Sequence, residues 1–301
     1  LATVKSILIV GGSGFIGTHL ALKLREGYKV FAGYHRHRVQ IPGVTSVPLD
    51  VDNRDWIKRV VYMSRPDIII YAAGDPSMEA AEKNQRDAER LHMNGPANIS
   101  NVADIFQPRF IYLSSCYTFD GQHGNYHESD TMLPATNLGK SKVGGENFIR
   151  GKSLNYVIVR CAQIYGRGNG KNLTFLDRLR MSLDRKQKVE FNAQEYHTYA
   201  PIEGLVDLIG KLLDSSIRNR ILHYGGLTKM NRIEFGRAFA TTFGYDPGLI
   251  NEKIKEKTTV LDQMTWDFSL NFTQTAELLK IKPLLLEEGF DLIKQKLVST
   301  L

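Results

Sequence analysis

Ile7-Leu8-Ile9-Val10-Gly11-Gly12-Ser13-Gly14-Phe15-Ile16-Gly17 is the stretch on which the fold turns. Four consecutive aliphatic residues, with no polar alternation, suit a parallel strand covered on both faces. The glycines at 11, 14 and 17 then let the backbone turn tightly and come close to an anion. They also let the following helix pack near the sheet with its first N–H groups facing that anion. Gly11, Ser13, Gly14, Phe15, Ile16 and Gly17 are therefore the candidate cradle for a dinucleotide diphosphate. A glycine-rich turn without a ligand is the alternative, and the strand–loop–helix context weighs against it.

Short runs rich in valine and isoleucine recur at 29–33, 46–49, 68–71, 110–113 and 157–160. Helical stretches separate them at 17–25, 54–64, 93–105 and 140–151. This alternation predicts βαβ units and an α/β, doubly wound parallel sheet of Rossmann type. After about residue 163 the rhythm loosens, with amphipathic helices expected at 203–215, 232–243 and 287–297. The expected organisation is a dinucleotide-binding domain over 1–163, completed by sheet segments from later in the chain. Residues 164–301 would form a smaller C-terminal substrate lobe that does not fold independently.

The residues after the second strand select the nucleotide. Proteins that bind NAD place an acid there for the ribose hydroxyls. This chain instead reads Tyr34-His35-Arg36-His37-Arg38. The planar forks of Arg36 and Arg38 suit a 2′-phosphate, so NADP fits better than NAD. A solvated basic loop is the alternative. Asp50-Val51 ends the third strand, where the carboxylate would either accept from an adenine amino group or cap the next helix. Ala72-Ala73-Gly74 ends the fourth and is small enough for a dinucleotide to lie across it.

Composition narrows the class further. The 301 residues carry 39 Lys plus Arg against 32 Asp plus Glu, and 42% are hydrophobic. Such a chain supports a sizeable core without a disulfide or metal. Two cysteines, Cys116 and Cys161, make neither a disulfide framework nor a zinc site, so no metal is expected. No apolar run approaches the roughly 18–20 residues of a membrane helix, and none resembles a secretory signal. The expectation is a soluble cytoplasmic protein that contacts neither membrane nor nucleic acid, since +7 is a weak charge for 301 residues.

Ser114-Ser115-Cys116-Tyr117-Thr118-Phe119-Asp120-Gly121, Tyr126-His127-Glu128, Pro134, and Gly139-Lys140-Ser141-Lys142 through Gly145-Glu146 together resemble one family segment. It is that of the extended short-chain dehydrogenase/reductases, in the dTDP-4-dehydrorhamnose reductase branch. Arg160 through Tyr165-Gly166 and His223-Tyr224-Gly225-Gly226 extend the resemblance toward the C-terminal lobe. The branch also holds the regulatory β subunit of methionine adenosyltransferase, an NADP-binding partner subunit. The resemblance implies hydride transfer to a 4-keto sugar nucleotide, with a hydroxyl holding the carbonyl oxygen, a tyrosine donating the proton and a lysine on the nicotinamide ribose. Ser115 and Lys142 take the first and last roles, but the tyrosine position is Leu138. Leucine has no proton to give, so the implied activity stands against a non-catalytic NADP-binding subunit with a protein partner. A homodimer is compatible with either.

Nearby residues offer substitute donors. Tyr117 lies two past Ser115, on the same side if that segment is extended, and Tyr165, His127 or a water held by Lys142 are further candidates. Cys116 stands where the reductases carry an acidic substrate-contacting residue; with Tyr117 it is a candidate substrate contact, or else a small buried thiol. Residues 177–180 and 185–188 would meet sugar-nucleotide phosphates or form the wet face of a helix. Residues 194–199 would line a sugar pocket or pack.

Overall fold

In the computed structural model, which describes residues 4–152, 155–170, 173–253 and 265–298, the opening aliphatic run is strand β1 (Ser6–Val10), buried along its whole length. There follow helix α1 (Phe15–Leu24), strands β2 (Lys29–Tyr34) and β3 (Val44–Pro48), α2 (Arg54–Ser64) and β4 (Ile68–Tyr71). Short helices α3 (Met78–Lys83) and α4 (Gln85–Glu89) lead through a π-helical turn, Arg90–Asn94, into α5 (Gly95–Ala103). Then come β5 (Arg109–Ser115), α6 (Asn137–Lys152) and β6 (Tyr156–Cys161). The chain continues as β7 (Gln163–Tyr165), α7 (Phe175–Asp184), β8 (Val189–Phe191), β9 (Glu195–Pro201), α8 (Ile202–Leu213) and β10 (Arg220–Tyr224). It ends with β11 (Lys229–Asn231), α9 (Arg232–Thr242), β12 (Ile250–Glu252), β13 (Trp266–Asp267), α10 (Thr273–Leu279) and α11 (Leu286–Val298).

Seven strands form one sheet in the order β10-β6-β5-β4-β1-β2-β3. Ile9 on β1 lies opposite Ala32 on β2 and Ile70 on β4, both in parallel register. The first three strands step outward on one side of β1, and β4 then starts the other side. Strand order therefore reverses at β1/β4, the switch point where ligands of doubly wound sheets bind beyond the strands' C-terminal ends. The glycine loop lies at that point. The doubly wound parallel sheet expected from the alternating pattern is the observed architecture.

Two compact units make up the chain. The first comprises residues through Phe119, Thr131–Arg160 and Val206–Leu222; the second comprises Asp120–Asp130, Cys161–Leu205 and the chain from His223. In the first, Leu8, Val10, Ile69, Tyr71, Phe110, Tyr112 and Ile158 share a core with Ile57, Val60 and Val61 of α2 and Ile149 of α6. Each such side chain contributes about 1.5–3 kcal/mol when taken from water. The buried positions of α2 fall at helical spacing, and its start is set by Asn53, whose side chain accepts from the amides of Asp55 and Trp56. This overturns the capping role considered for Asp50: its Oδ1 accepts from Asp52 N at 3.0 Å, a local turn ahead of the helix.

The single helix expected over 93–105 is also corrected. The segment is a π-turn, the α5 helix and a terminal 3₁₀ turn at Asp104–Phe106. The cause is local: Gly95 N donates to Arg90 O in the π pattern, and Pro96 has no N–H for His92 O. The carbonyls of Leu91 and His92 are thereby released, and they accept from Tyr71 Oη at 2.6 Å and Tyr112 Oη at 2.7 Å.

In the second unit β9 pairs antiparallel with β11 and parallel with β7 and β13, while β12 pairs with β8. Its core gathers Tyr165, Tyr199, Phe235, Phe239 and Phe290, with Tyr199 stacked on Phe235 at 4.3 Å between centroids. Residues 194–199 are thus mostly strand, and His197 is buried against Phe268. Asp177 closes a capping box with Thr174 at the start of α7, while Leu179 faces the core.

Candidate functional site

The glycine loop is tight because its neighbours leave no room for side chains. Gly11 has φ +83°, and a Cβ there would lie 2.7 Å from the Ala73 backbone. A Cβ on Gly12 would meet Ala32 at 2.7 Å, and one on Gly17 would meet Gly11 O at 2.2 Å. The loop is thus pressed between the ends of β2 and β4, and α1 starts directly on it. Gly14 is the N-cap of α1, offers no side-chain cap, and the first turn holds no acid. Its leading amides have no carbonyl within the helix to bond and face an uncompensated positive end. A small cradle with an uncapped helix start fits a diphosphate.

Arg36 and Arg38 are exposed just beyond β2. Asp50 follows β3 and lies 3.7 Å from His35 Nε2, while Val51 is buried and its carbonyl accepts from Asn98 Nδ2 at 2.9 Å. Ala72 N donates to Val10 O at 2.9 Å, continuing the β1–β4 pairing into the turn. Gly74, at φ +125°, is exposed.

At the end of β5, Ser115 is half-buried and caps a 3₁₀ turn, Cys116–Thr118, by accepting from Tyr117 N. The segment after Ser115 is therefore not extended, and the side shared by Ser115 and Tyr117 under strand alternation does not exist. Cys116 and Tyr117 are 1% and 4% exposed. Across from this turn, a Cβ on Gly139 would lie 1.9 Å from Tyr117 O, so α6 rests on the turn's backbone. Lys142 is buried; its Nζ donates to Leu113 O at 2.9 Å and sits 5.2 Å above the Tyr112 ring.

Leu138 precedes Lys142 by one helical turn on the same buried face of α6 and is 1% exposed. Of the phenols considered as replacements, Tyr117 is buried within the 3₁₀ turn, and a phenol near Lys142, that of Tyr112, is committed to another partner. Tyr112 donates to His92 O, and burial pushes its phenol well above the ordinary value. Tyr165 belongs to the core of the second unit, and burial raises it too. His127 is exposed in that unit.

Two features had no clear signal in the sequence. Glu146 and Arg160, 0% and 1% exposed, pair at 2.8 Å, and Ser114 Oγ donates to the same carboxylate at 2.5 Å. His92 is 2% exposed, with Nε2 3.0 Å from Asp75 O. A Cβ on Gly74 would lie 2.0 Å from its ring. Burial and the Lys142 charge hold this imidazole well below its usual range. Among the described residues no group of three or more His, Cys, Asp or Glu could hold a metal ion, and no helix is long and apolar enough to cross a membrane.

A glycine loop at the switch point of a doubly wound sheet, with a serine at a strand end facing a helix that carries a buried lysine, is the architecture of the extended short-chain dehydrogenase/reductases. Within them, residues 5–269 match the RmlD substrate binding domain family, and the chain belongs to it. The dTDP-4-dehydrorhamnose reductase of Mycobacterium tuberculosis is 26% identical over 249 residues, 81% of this chain and 77% of the relative. Methionine adenosyltransferase 2 subunit beta of Bos taurus is 24% identical over 248 residues, 79% of this chain and 72% of the relative. Among solved structures, dTDP-4-dehydrorhamnose reductase of Bacillus anthracis in complex with NADP aligns with a TM-score of 0.83 at 20% identity, covering 98% of this chain and all of the other, 100%.

Proposed function

We propose that the protein binds NADP(H) and is of the nucleotide-sugar reductase type, with its proton-donating step disabled. The observation that carries the reading is Leu138, wholly buried one turn before Lys142 on α6. In this reading the amides of the glycine loop hold the diphosphate, and Arg36 and Arg38 take the 2′-phosphate. Asp50 accepts from the adenine, while Ala72, Ala73 and Gly74 keep the strand ends low enough for the nucleotide to cross. Lys142 Nζ holds the nicotinamide ribose. Ser115 Oγ donates to the carbonyl oxygen of a 4-keto sugar nucleotide. Reduced nicotinamide, when bound, is the source of hydride. Leu138 has no proton to give to the resulting alkoxide, and general acid catalysis contributes about 10²- to 10⁴-fold in rate.

A second reading, a non-catalytic NADP(H)-binding partner subunit, is favoured by the same leucine and by the likeness to methionine adenosyltransferase 2 subunit beta. One paired experiment separates them: NADPH fluorescence titration, then turnover on a panel of 4-keto sugar nucleotides for the parent and Leu138→Tyr. Tight binding with a slow parent, and a Leu138→Tyr variant faster by about 10²-fold or more, supports the lapsed reductase. Binding with both proteins silent supports the partner subunit. A fast parent not improved by the tyrosine overturns the loss of the acid, and absence of NADPH binding overturns the whole reading.

A further inference from the structure

His92 carries a buried polar atom that neither reading uses. Asp75 O is an acceptor only, so the imidazole Nε2 facing it at 3.0 Å must carry the hydrogen. In the neutral ring Nδ1 is then a bare acceptor, and among the described residues it has no hydrogen-bond partner. Burial and the nearby Lys142 charge keep the ring neutral. An unpaired acceptor in a residue only 2% exposed is costly and calls for a donor from elsewhere.

The surroundings identify that donor. A Cβ on Gly74 would come within 2.6 Å of Nδ1, which places the nitrogen against the turn that follows β4. The same turn contributes the Ala73 backbone that packs on Gly11 of the phosphate loop. Strand order then orients a nucleotide lying along the sheet. Arg36 and Asp50 mark the β2–β3 side, the glycine loop sits over β1, and Ser115 with Lys142 mark the β5 side. His92, beside Gly74 and Lys142, is on the β4–β5 side. A phosphate has no hydrogen to offer it at neutral pH, whereas a ribose hydroxyl does.

We propose that His92 Nδ1 accepts a hydrogen bond from a hydroxyl of the nicotinamide-side ribose of bound NADP(H), and so positions that half of the nucleotide together with Lys142. This inference rests on the NADP(H) reading and deepens it. His92 acts as a positioning residue: its only N–H hydrogen is committed to Asp75 O, so it does not replace the missing phenol.

The test compares two probes, NADPH and adenosine 2′,5′-bisphosphate, which lacks the nicotinamide half. For His92→Phe, which keeps a ring but no acceptor, NADPH affinity is expected to fall about tenfold and affinity for the half-ligand to stay unchanged. His92→Gln, which retains an acceptor, should bind NADPH more tightly than His92→Phe. In the parent labelled with nitrogen-15 histidine, the Nδ1 resonance should move upfield with NADPH and stay in place with the bisphosphate, a readout that requires no variant. Equal NADPH binding by parent and His92→Phe, equal weakening toward both probes, or an unmoved Nδ1 resonance in NADPH-saturated protein would each overturn the inference. A parent that binds neither probe would instead fail the NADP(H) reading beneath it.

Discussion

Gly17 admits no side chain, because its Cβ would sit 2.2 Å from Gly11 O and the obstacle is backbone. Gly17→Ala is expected to cost about 1–3 kcal/mol in urea denaturation and to abolish NADPH binding by shifting the loop. At His92 the consequence is a pH dependence. Its imidazole is held well below the ordinary value of 6.5 in the folded state, so the unfolded chain binds the proton more readily. The resulting contribution to stability is fully present above about pH 6.5 and is lost as pH falls toward the folded value. Denaturation midpoints of His92→Phe should therefore decline less than those of the parent between about pH 7 and about pH 5. Leu138 and His92 differ in how they can be read. Leucine stands out in the sequence by its four-residue spacing from Lys142, whereas the orphaned nitrogen of His92 arises from burial and from Asp75, 17 residues away.

At the scale of elements, α6 and β6 are joined by the Glu146–Arg160 pair, with the guanidinium 5.1 Å from the Phe119 ring and the carboxylate also bound by Ser114. Ser114 adjoins Ser115, so the pair also supports the end of β5. Arg160→Met leaves a buried carboxylate without its cation and should cost about 3–5 kcal/mol in chemical denaturation. The Arg160→Met/Glu146→Met double variant should recover much of that loss, because no charge is then stranded. Strands and long helices are legible because an unbroken aliphatic run or a helical spacing is local; the buried strands β1 and β4 and the inner face of α2 follow from it directly. The π-turn is not. Pro96 warns of a break, but only the positions of Tyr71 and Tyr112 explain how the freed carbonyls of Leu91 and His92 are satisfied.

For the whole molecule, binding and stability are linked. A nucleotide held by the folded chain alone stabilises it by about 2.7 kcal/mol at a hundred times its dissociation constant. NADPH should raise the thermal midpoint more than NADH at equal concentration. Arg36→Ala should remove most of that difference by deleting a charge-assisted contact worth about 1.5–3 kcal/mol. Equal shifts from the two nucleotides in the parent would remove Arg36 and Arg38 from the 2′-phosphate site. The amino-acid sequence by itself determined the doubly wound sheet, the glycine loop at the start of α1 and the leucine four residues before Lys142, since each is written in residue type and near-neighbour spacing. Only the tertiary structure decided the division of the chain, in which Asp120–Asp130 joins the second unit and Val206–Leu222 the first. It alone also revealed the Glu146–Arg160 pair and the unpaired nitrogen of His92, because burial and long-range partners are properties of packing, and packing has no period along the chain.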